Sequence, residues 1–411
     1  MDNSKQLLLI SYTFPPYPGI GGRRWAKFSK YLTQLGYDVH VIYASNGTGD
    51  ISLWLDDIID NKNIKLYPIK SRYPASLIMQ PKTNWQKLNY RFSLFIVKLT
   101  SKGTPYDRGW FWNKAMLRKS EKIIETNKIK NVVVSSAPFS NSYYALDLKI
   151  KFPDLNLVVD FRDPWTWGGG YGFSILNPKR IKHEVMMEAS VIEFSDKIFV
   201  PSIEMKNNII LNYPKFINKI ILLPHGFDED EITRMPKKPS QKLRLVLYGT
   251  LYSKLDSVFE NISLFIKKAQ NKISLDIYSS TSTYKNVFET YGLIGNGVNY
   301  YSQILPKYLF EKFDEYDYVL IVQPDFAKDF ITTKIYEIIY SGTPTLLISK
   351  EGKLLKFISE NKLGLCFTPD NFSEKINSVF EHPTGAFNLK QFKIDDCSFK
   401  FITSDLAKHL K

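Results

Sequence analysis

The stretch QLLLISYTFPPYPGIGGRRWAKFSKYLTQLGYDVHVIYAS, residues Gln6–Ser45, contains two apolar runs on either side of a helical segment. The run at Gln6–Tyr12 predicts a buried strand, and the proline- and glycine-rich loop after it leads into a helix from about Gly22 to Leu35. Gly36 ends that helix at its C-cap, and Tyr37–Ser45 predicts the second strand. This strand–helix–strand order is typical of a parallel sheet.

The same alternation continues along the whole chain. In the first half, further strands are predicted at 131–137, 155–161, 197–202 and 220–224. After an interruption it restarts, with strands predicted at 243–249, 273–279, 298–302, 317–323 and 343–349. The predicted fold class is therefore α/β, with two Rossmann-like, doubly wound domains facing each other across a cleft.

The interruption marks the domain boundary. Around 224–242 the apolar pattern is replaced by prolines and mixed charges, which is typical of a linker. We predict an N-terminal domain at 1–225, a linker at 226–242 and a C-terminal domain at 243–395. The remaining segment, 396–411, is expected to form a helix that packs back toward the N-terminal domain.

Composition narrows the class of protein. The chain has 411 residues, 44% of them hydrophobic, which is enough for a sizeable core. Its two cysteines, Cys366 and Cys397, give neither a disulfide framework nor a paired-cysteine zinc pattern, which fits a reducing cytoplasm. The apolar run LLLI is too short for a signal peptide, and no run approaches the ~20 apolar residues of a membrane span. We therefore expect a cytoplasmic protein, at most peripheral on a membrane.

The net charge of +14 is unevenly distributed. Between Lys70 and Lys119 the chain is rich in lysine and arginine, and Asp107 is the only acid. Such a segment attracts nucleic acid, anionic lipid headgroups or phosphorylated substrates. Within it, 84–99 has Leu88, Phe92, Phe95 and Ile96 at helical spacing, with Lys87, Arg91 and Lys98 around them. This pattern suits a helix on an anionic membrane, or a helix packed on its own domain with a solvated basic face.

The loop PGIGGRR, Pro18–Arg24, follows the first strand and begins a helix. Glycines allow close approach of a ligand to the backbone, and a helix N-terminus offers free N–H groups to an anion. The spacing is not that of the dinucleotide fingerprint. The alternative is a plain tight turn with Arg23 and Arg24 solvated.

The segment DFITTKIYEIIYSGTP, Asp329–Pro344, is the second candidate site. A helix that begins near Thr332 has Lys334 in its first turn and Glu337 three residues later. A carboxylate there can accept two ribose hydroxyls, and the lysine can hold a phosphate. The alternative is an ordinary surface ion pair.

The third candidate is VVDFRDPWTWGGG, Val158–Gly170, in which a buried strand ends in charges, tryptophans and glycines. Five motifs, FPPYPGIGGRRW, DFRDPW, LPHGFD, LYGTL and KIYEIIYSGTP, together resemble glycosyltransferases of the GT-B fold, specifically the large retaining family four. The resemblance covers nearly the whole chain. It implies metal-independent, retaining transfer of a sugar from a nucleotide diphosphate to a glycan or lipid-linked acceptor, as in bacterial surface-polysaccharide assembly, without a cofactor.

The resemblance also implies roles for individual residues. Asp163, with Arg162 beside it, would orient or deprotonate the acceptor hydroxyl, while Trp165, Trp167 and Gly169 would lie on the acceptor side. The alternative is an Arg–Asp pair that staples the loop while both tryptophans fill the core. The residues implied for donor binding are Gly21, Gly22, Arg23, Gly249, Thr250, Lys254, Asp329, Thr333, Lys334 and Glu337.

Two positions depart from the family pattern. Asp329 stands where the family has the first of two glutamates, and Thr250 stands where an arginine is common, which leaves Lys254 nearby. No metal site is expected, because 228–230, sequence DED, has no strand leading to it and is interpreted as solvated charge. Three other functions share some of these features: a nucleotide-sugar epimerase of the same fold, a nucleic-acid-binding protein, and a catalytically silent sugar-binding scaffold. Binding of nucleic acid is not expected, because the positive charge is concentrated in one segment of the first domain.

Overall fold

The computed structural model describes residues 5–45, 52–79, 81–168, 172–232, 238, 240–269, 271–329, 331–332, 334–380, 387–389 and 392–411. The chain divides into two compact units. Unit 1 comprises Met1–His225 together with Phe399–Lys411, and unit 2 comprises Gly226–Ser398. Among the described residues, no helix is long and apolar enough to cross a membrane.

Unit 1 contains a seven-stranded sheet in which all neighbouring strands are parallel. In chain order the strands are β1 (Lys5–Ser11), β2 (Tyr37–Ala44), β3 (Ile64–Ile69), β4 (Asn131–Ser136), β5 (Asn156–Phe161), β6 (Lys197–Val200) and β7 (Ile220–Leu222). In space they are ordered β3-β2-β1-β4-β5-β6-β7. The carboxyl ends of β1, β4 and β5, where loops most often bind ligands, therefore lie side by side.

Helices cover both faces of this sheet. They are α1 (Arg23–Gln34), α2 (Asn84–Thr100), α3 (Asn113–Asn127), α4 (Ser140–Tyr144), α5 (Leu146–Lys151), α6 (Pro178–Phe194) and α7 (Ile203–Asn212). Successive side chains of a strand point to opposite faces. Leu8 and Ile10 of β1 accordingly join one buried cluster, while Leu7 and Leu9 join the other. Because both faces are buried, the strands read as continuous apolar runs.

Unit 2 repeats the architecture with a six-stranded parallel sheet, ordered β10-β9-β8-β11-β12-β13. Its strands are β8 (Leu243–Tyr248), β9 (Ile273–Tyr278), β10 (Val298–Tyr301), β11 (Tyr318–Val322), β12 (Thr345–Ile348) and β13 (Gly364–Phe367). Its helices are α8 (Asp256–Lys268), α9 (Lys285–Thr290), α10 (Pro306–Phe310), α11 (Lys334–Ser341), α12 (Lys353–Glu360) and α13 (Phe372–Lys375).

The chain returns to unit 1 with α14, Phe399–Ala407. This helix packs on α1, where the rings of Phe28 and Phe399 meet edge to face with centroids 5.3 Å apart. Phe399 and Leu406 are fully buried in the same cluster as Leu7 and Leu9 of β1. The last helix is therefore part of the core of the unit that the chain begins with.

Two doubly wound parallel sheets confirm the predicted α/β class, and two strands were missed. β3, sequence IKLYPI, lies at the sheet edge and contains Pro68, which weakens the strand pattern. β13, sequence GLCF, is a four-residue edge strand with three only half-buried residues. Edge strands are buried on fewer sides than central ones, so their apolar pattern is weaker.

Candidate functional site

Asp160, next to last in β5, is fully buried and organises the carboxyl-end edge of the unit 1 sheet. Its two oxygens accept from Nε and Nη2 of Arg24, each at 3.0 Å, and from the indole N–H of Trp25 at 2.7 Å. Arg24 also donates to the carbonyls of Leu223 and Pro224, at 2.7 and 2.9 Å. Arg24 is therefore buried and links α1, β5 and the residues after β7, which contradicts the alternative in which it is solvated.

Arg162 lies just beyond β5, and its guanidinium donates to three main-chain carbonyl oxygens. Its Nε donates to the carbonyl of Ser136 at 2.7 Å, its Nη2 to that of Ala137 at 2.9 Å, and its Nη1 to that of Gly21. The guanidinium thus ties the β5 loop to the end of β4 and to the loop before α1. Arg162 therefore holds the loop after β5 in place.

The glycines of the loop before α1 are required by contacts within the protein. A Cβ at Gly21 would lie 2.8 Å from Oγ1 of Thr13 and 2.9 Å from Nη1 of Arg162. A Cβ at Gly22 would lie 2.7 Å from the carbonyl oxygen of Thr13. Any side chain there would push the loop away from β1 and from Arg162. Close packing of loop on loop therefore explains both glycines, whether or not a ligand binds there.

The two predicted acceptor-side tryptophans have different surroundings. Trp165 is 1% exposed, stacks on Phe139 with centroids 4.9 Å apart, and donates its indole N–H to Oε2 of Glu184 at 2.8 Å. Its ring has no exposed face for a sugar, which corrects that prediction. Trp167 is partly buried and packs against the same core. Gly169 lies outside the described residues, and Asp163 is half-buried beside Arg162.

Two buried glutamates of α6 support this loop. Glu184 accepts from the backbone N–H of Thr104 at 2.5 Å in addition to Trp165, and Glu188 accepts from the hydroxyl of Thr166. Burial raises the pKa of both carboxyl groups to about 7. Each carboxyl group therefore keeps its proton to a higher pH than an exposed glutamate does. Sequence reasoning missed them, although acids four residues apart on one helix face are a signal for such a pair.

His225 is the last residue of the first segment of unit 1, and it lies near three arginines. Burial, followed by the charges of Arg24, Arg23 and Arg162, holds its pKa well below the ordinary range. Its imidazole is therefore neutral at neutral pH. Arg23 itself is largely buried, with its guanidinium 5.5 Å over the ring of Phe399. This placement favours a packing role for Arg23, which the resemblance implies as a donor-binding residue.

In unit 2, the end of β8 meets the first turn of α11. Nζ of Lys334 donates to the carbonyl of Tyr248 at 2.7 Å and lies 5.0 Å over the same ring. Gly249 has φ +91°, and a Cβ there would lie 2.6 Å from that nitrogen. One turn along, buried Glu337 accepts from the Tyr248 hydroxyl at 3.3 Å. The structure thus brings together Gly249, Lys334 and Glu337.

The electrostatics of this cluster suit an anion. Burial lowers the pKa of Lys334 to about 8, and the neighbouring charge of Glu337 opposes that shift. The lysine is therefore mostly protonated at pH 7 in spite of its burial. Its place at the first residue of α11 adds the positive end of the helix dipole. Charge, dipole and bare backbone at Gly249 together can receive a phosphate group.

The other predicted donor residues are arranged differently. Thr250 and Lys254 are exposed on the loop after β8. Asp329 is exposed and accepts from the backbone N–H of Lys353 at 3.2 Å, so it caps α12. Thr333 lies outside the described residues.

Asp228, which was predicted to be solvated, is buried. Its carboxylate accepts from the backbone N–H of Asp230 at 3.1 Å, at the start of the short 3-10 turn Glu229–Glu231. The prediction is therefore wrong for Asp228, because this carboxylate caps a turn. It holds for Asp230, whose side chain is exposed.

Solved structures share this fold over nearly their full length. A sucrose-phosphate synthase from Thermosynechococcus elongatus has a TM-score of 0.64 at 13% identity, covering 98% of each chain. HepE from Anabaena, in complex with UDP and glucose, has a TM-score of 0.59 at 10% identity, covering 99% of each. A UDP-GlcNAc 2-epimerase from Neisseria meningitidis, bound to UDP-GlcNAc, has 0.56 at 12% identity, covering 99% of each.

No protein-family model matches the sequence, and neither does any curated protein. The structural likenesses show the fold, that of two Rossmann-like domains of the GT-B type. At these identities they establish no activity for this chain.

Proposed function

We propose that this chain is a metal-independent, retaining glycosyltransferase that moves a sugar from a nucleotide diphosphate to a glycan or lipid-linked acceptor at the cytoplasmic face of a membrane, in surface-polysaccharide assembly. The observation that carries the proposal is the cluster of Gly249, Lys334 and Glu337 at the end of β8. The fold supports it, since structures of the same fold hold UDP with glucose and UDP-GlcNAc.

Each member of the cluster has a chemical task toward the donor. Lys334 and the N-terminus of α11 neutralise the diphosphate, and Gly249 lets that group approach the backbone. Glu337, a buried carboxylate, accepts the two ribose hydroxyls. As the glycosidic bond breaks, charge grows on the leaving phosphate, so the interaction with Lys334 is stronger in the transition state than before it.

On the acceptor side, Asp163 is the proposed orienting group. Arg162, held by three carbonyls, fixes the backbone of the residue next to it. A rigid loop allows the half-buried carboxylate to direct an acceptor hydroxyl toward the reacting carbon. In a retaining reaction the leaving phosphate can assist in removing the hydroxyl proton, so Asp163 need only orient the acceptor.

The same fold also carries an epimerase that binds UDP-GlcNAc, which makes epimerisation the second candidate. The two activities differ in their need for an acceptor. An epimerase converts the nucleotide sugar alone and leaves the nucleotide attached, whereas a transferase releases the nucleotide diphosphate when an acceptor is present. Product analysis with and without acceptor therefore separates them.

The first test is a thermal-shift screen against UDP, GDP, ADP and CMP, with magnesium or with EDTA. A ligand that binds only folded protein stabilises it by about 2.7 kcal/mol at a hundredfold excess over its Kd. We expect one diphosphate to raise the melting temperature equally in both buffers. Glu337→Gln should abolish that shift, while Glu360→Gln, an exposed glutamate at the end of α12, should preserve it. No shift with any nucleotide would contradict the donor site.

A further inference from the structure

Helix α2 is attached to unit 1 along a narrow side. It has 17 residues, and its N-terminus is closed by a capping box between Thr83 and Gln86. Within α2, all of which is described, only Val97 is buried. The helix is therefore well formed but projects most of its circumference from the protein.

The side opposite Val97 is an exposed apolar stripe. Its members and their exposed fractions are Trp85 75%, Leu88 58%, Phe92 64%, Phe95 58%, Ile96 39% and Leu99 68%. At about 100° per residue, these six side chains fall in one sector roughly 100° wide. A contiguous patch of large apolar side chains in water marks an interaction site, unlike hydrophobic residues scattered singly over a surface.

A basic strip flanks the stripe. Lys87, Arg91 and Lys98 are all exposed and fall in the adjoining sector, and α2 contains no acidic residue. The single acid between Lys70 and Lys119 is Asp107, which is buried and accepts from Ser140 and Gly109. The surface therefore presents positive charge beside apolar side chains.

Helix α6 is joined to the C-terminal end of α2. Arg180, near its N-terminus, donates to the carbonyls of Ser101 and Lys98 and so joins α6 to the C-terminal end of α2. Beyond this contact α6 exposes the apolar side chains of Ile181, Val185 and Met186 and the basic side chains of Lys179 and Lys182. The mixture of apolar and basic side chains is thus repeated on the element next to α2.

We propose that α2 lies in the plane of an anionic lipid bilayer, with its apolar stripe inserted at the headgroup boundary and Lys87, Arg91 and Lys98 on the phosphates. This arrangement hydrates the charged groups while it removes six large side chains from water. Charge complementarity selects the occupant, because a strip of cations without acids matches anionic headgroups. The inference rests on α2 and α6 alone and does not require transferase activity.

Cosedimentation with vesicles tests the surface. The full-length protein should bind vesicles of equal parts phosphatidylglycerol and phosphatidylcholine, and bind pure phosphatidylcholine far more weakly. The combined variant Lys87→Glu, Arg91→Glu, Lys98→Glu should lose affinity about a hundredfold or more, since each cation near such a surface contributes roughly fivefold. Phe92→Ser should lose roughly tenfold or more, from the apolar contact alone.

Matched controls make the same kinds of substitution at exposed positions of other helices. Leu211→Ser removes a side chain that is 80% exposed on α7, and the pair Lys267→Glu, Lys268→Glu reverses exposed cations on α8. Both controls should sediment with vesicles as the wild-type protein does.

Three results would overturn the proposal. One is equal vesicle binding by the wild-type protein and the α2 variants. The second is a change of oligomeric state in those variants, seen by light scattering, with vesicle affinity unchanged, which would assign the stripe to a second copy. The third is binding to RNA that depends on α2, without binding to vesicles. The nucleotide-induced thermal shift, measured on the same variants, should stay intact, so that failure of this surface is distinguishable from failure of the donor site.

Discussion

Replacing Lys334 with methionine removes the cation at the end of β8 while it retains an unbranched side chain of similar length. In the present geometry, Nζ is 2.7 Å from the Tyr248 carbonyl oxygen and beside the bare backbone of Gly249. If it also contacts a donor diphosphate, the variant loses one hydrogen bond to a charged group. Such a bond contributes roughly 1.5–3 kcal/mol, which corresponds to about a tenfold to hundredfold weaker affinity.

The pKa of Lys334 leads to a second, independent prediction, which concerns the pH dependence of nucleotide affinity. With a pKa of about 8, the lysine is about nine-tenths protonated at pH 7 and about one-tenth protonated at pH 9. A bound diphosphate favours the charged form, so binding above pH 8 includes the cost of protonating the lysine. The wild-type affinity for the nucleotide diphosphate should therefore fall about tenfold between pH 7 and pH 9. The methionine variant should show no such fall.

Isothermal titration calorimetry measures both the loss of affinity and its pH dependence. The ligand is the nucleotide diphosphate that stabilises the protein in the thermal screen. Titrations at pH 7, 8 and 9 should be repeated in buffers of different ionisation enthalpy, because the wild-type protein takes up protons on binding above pH 8. Lys356→Met, at an exposed position of α12, is the matched control and should retain both affinity and pH dependence. Wild-type affinity in Lys334→Met, or the same pH dependence in both proteins, would refute the assignment of this lysine.

Two further predictions concern unit 1. Asp163→Asn should lower turnover roughly a hundredfold or more, since a hundredfold is the low end of what positioning and acid–base groups supply, while the nucleotide Kd stays unchanged; wild-type turnover would leave Asp163 a purely structural role. Glu188 has a pKa of about 7 in the folded protein and about 4.5 in an unfolded chain. Because the unfolded state loses this proton at lower pH, the free energy of unfolding should fall by up to about 3 kcal/mol as the pH rises from 4.5 to above 7. Urea denaturation at pH 5 and pH 8 should show a smaller fall in Glu188→Gln, and an equal fall in both proteins would contradict the raised pKa.

The α/β class was predictable because both sheets are parallel and buried on both faces. Such strands appear in the sequence as continuous apolar runs, and β1, β4 and β5 were all recognised within a residue or so of their observed limits. Local signals also located the start of α11, because Lys334 and Glu337 lie one turn apart directly after a loop. The edge strands β3 and β13 were missed, since only a central strand requires an apolar side chain at nearly every position.

Side-chain pairing across the unit 1 sheet was not predictable from the sequence. Asp160 and Arg24 are 136 residues apart, and nothing local shows that α1 places this arginine over the end of β5. The sequence does show that Asp160 is an acid inside an apolar run, and a buried carboxylate needs hydrogen-bonding or charged partners. Its neighbour Asp163, three residues along, has similar local chemistry but a half-buried position. The end of β5 was predicted at Phe161, where the strand does end, but the sequence alone does not show which elements cover the residues on either side of that end.

For the proposed donor site, the contacts of the arginines limit which groups are left to neutralise a diphosphate. Arg24 is paired with Asp160, Arg162 donates to three carbonyls, and Arg23 packs over an aromatic ring. Of the described cations in the predicted donor site, Arg23 packs against Phe399, which leaves Lys334 and the exposed Lys254, together with the N-terminus of α11, to meet a diphosphate. Two lysine contacts at ~1.5–3 kcal/mol each and a helix terminus at ~0.3–1 kcal/mol together supply roughly 3–7 kcal/mol, which is below the ~8–23 kcal/mol by which enzymes lower barriers. If the chain is the proposed transferase, positioning of the acceptor supplies much of the remainder, and hydrolysis of the donor by water alone should be slow compared with transfer.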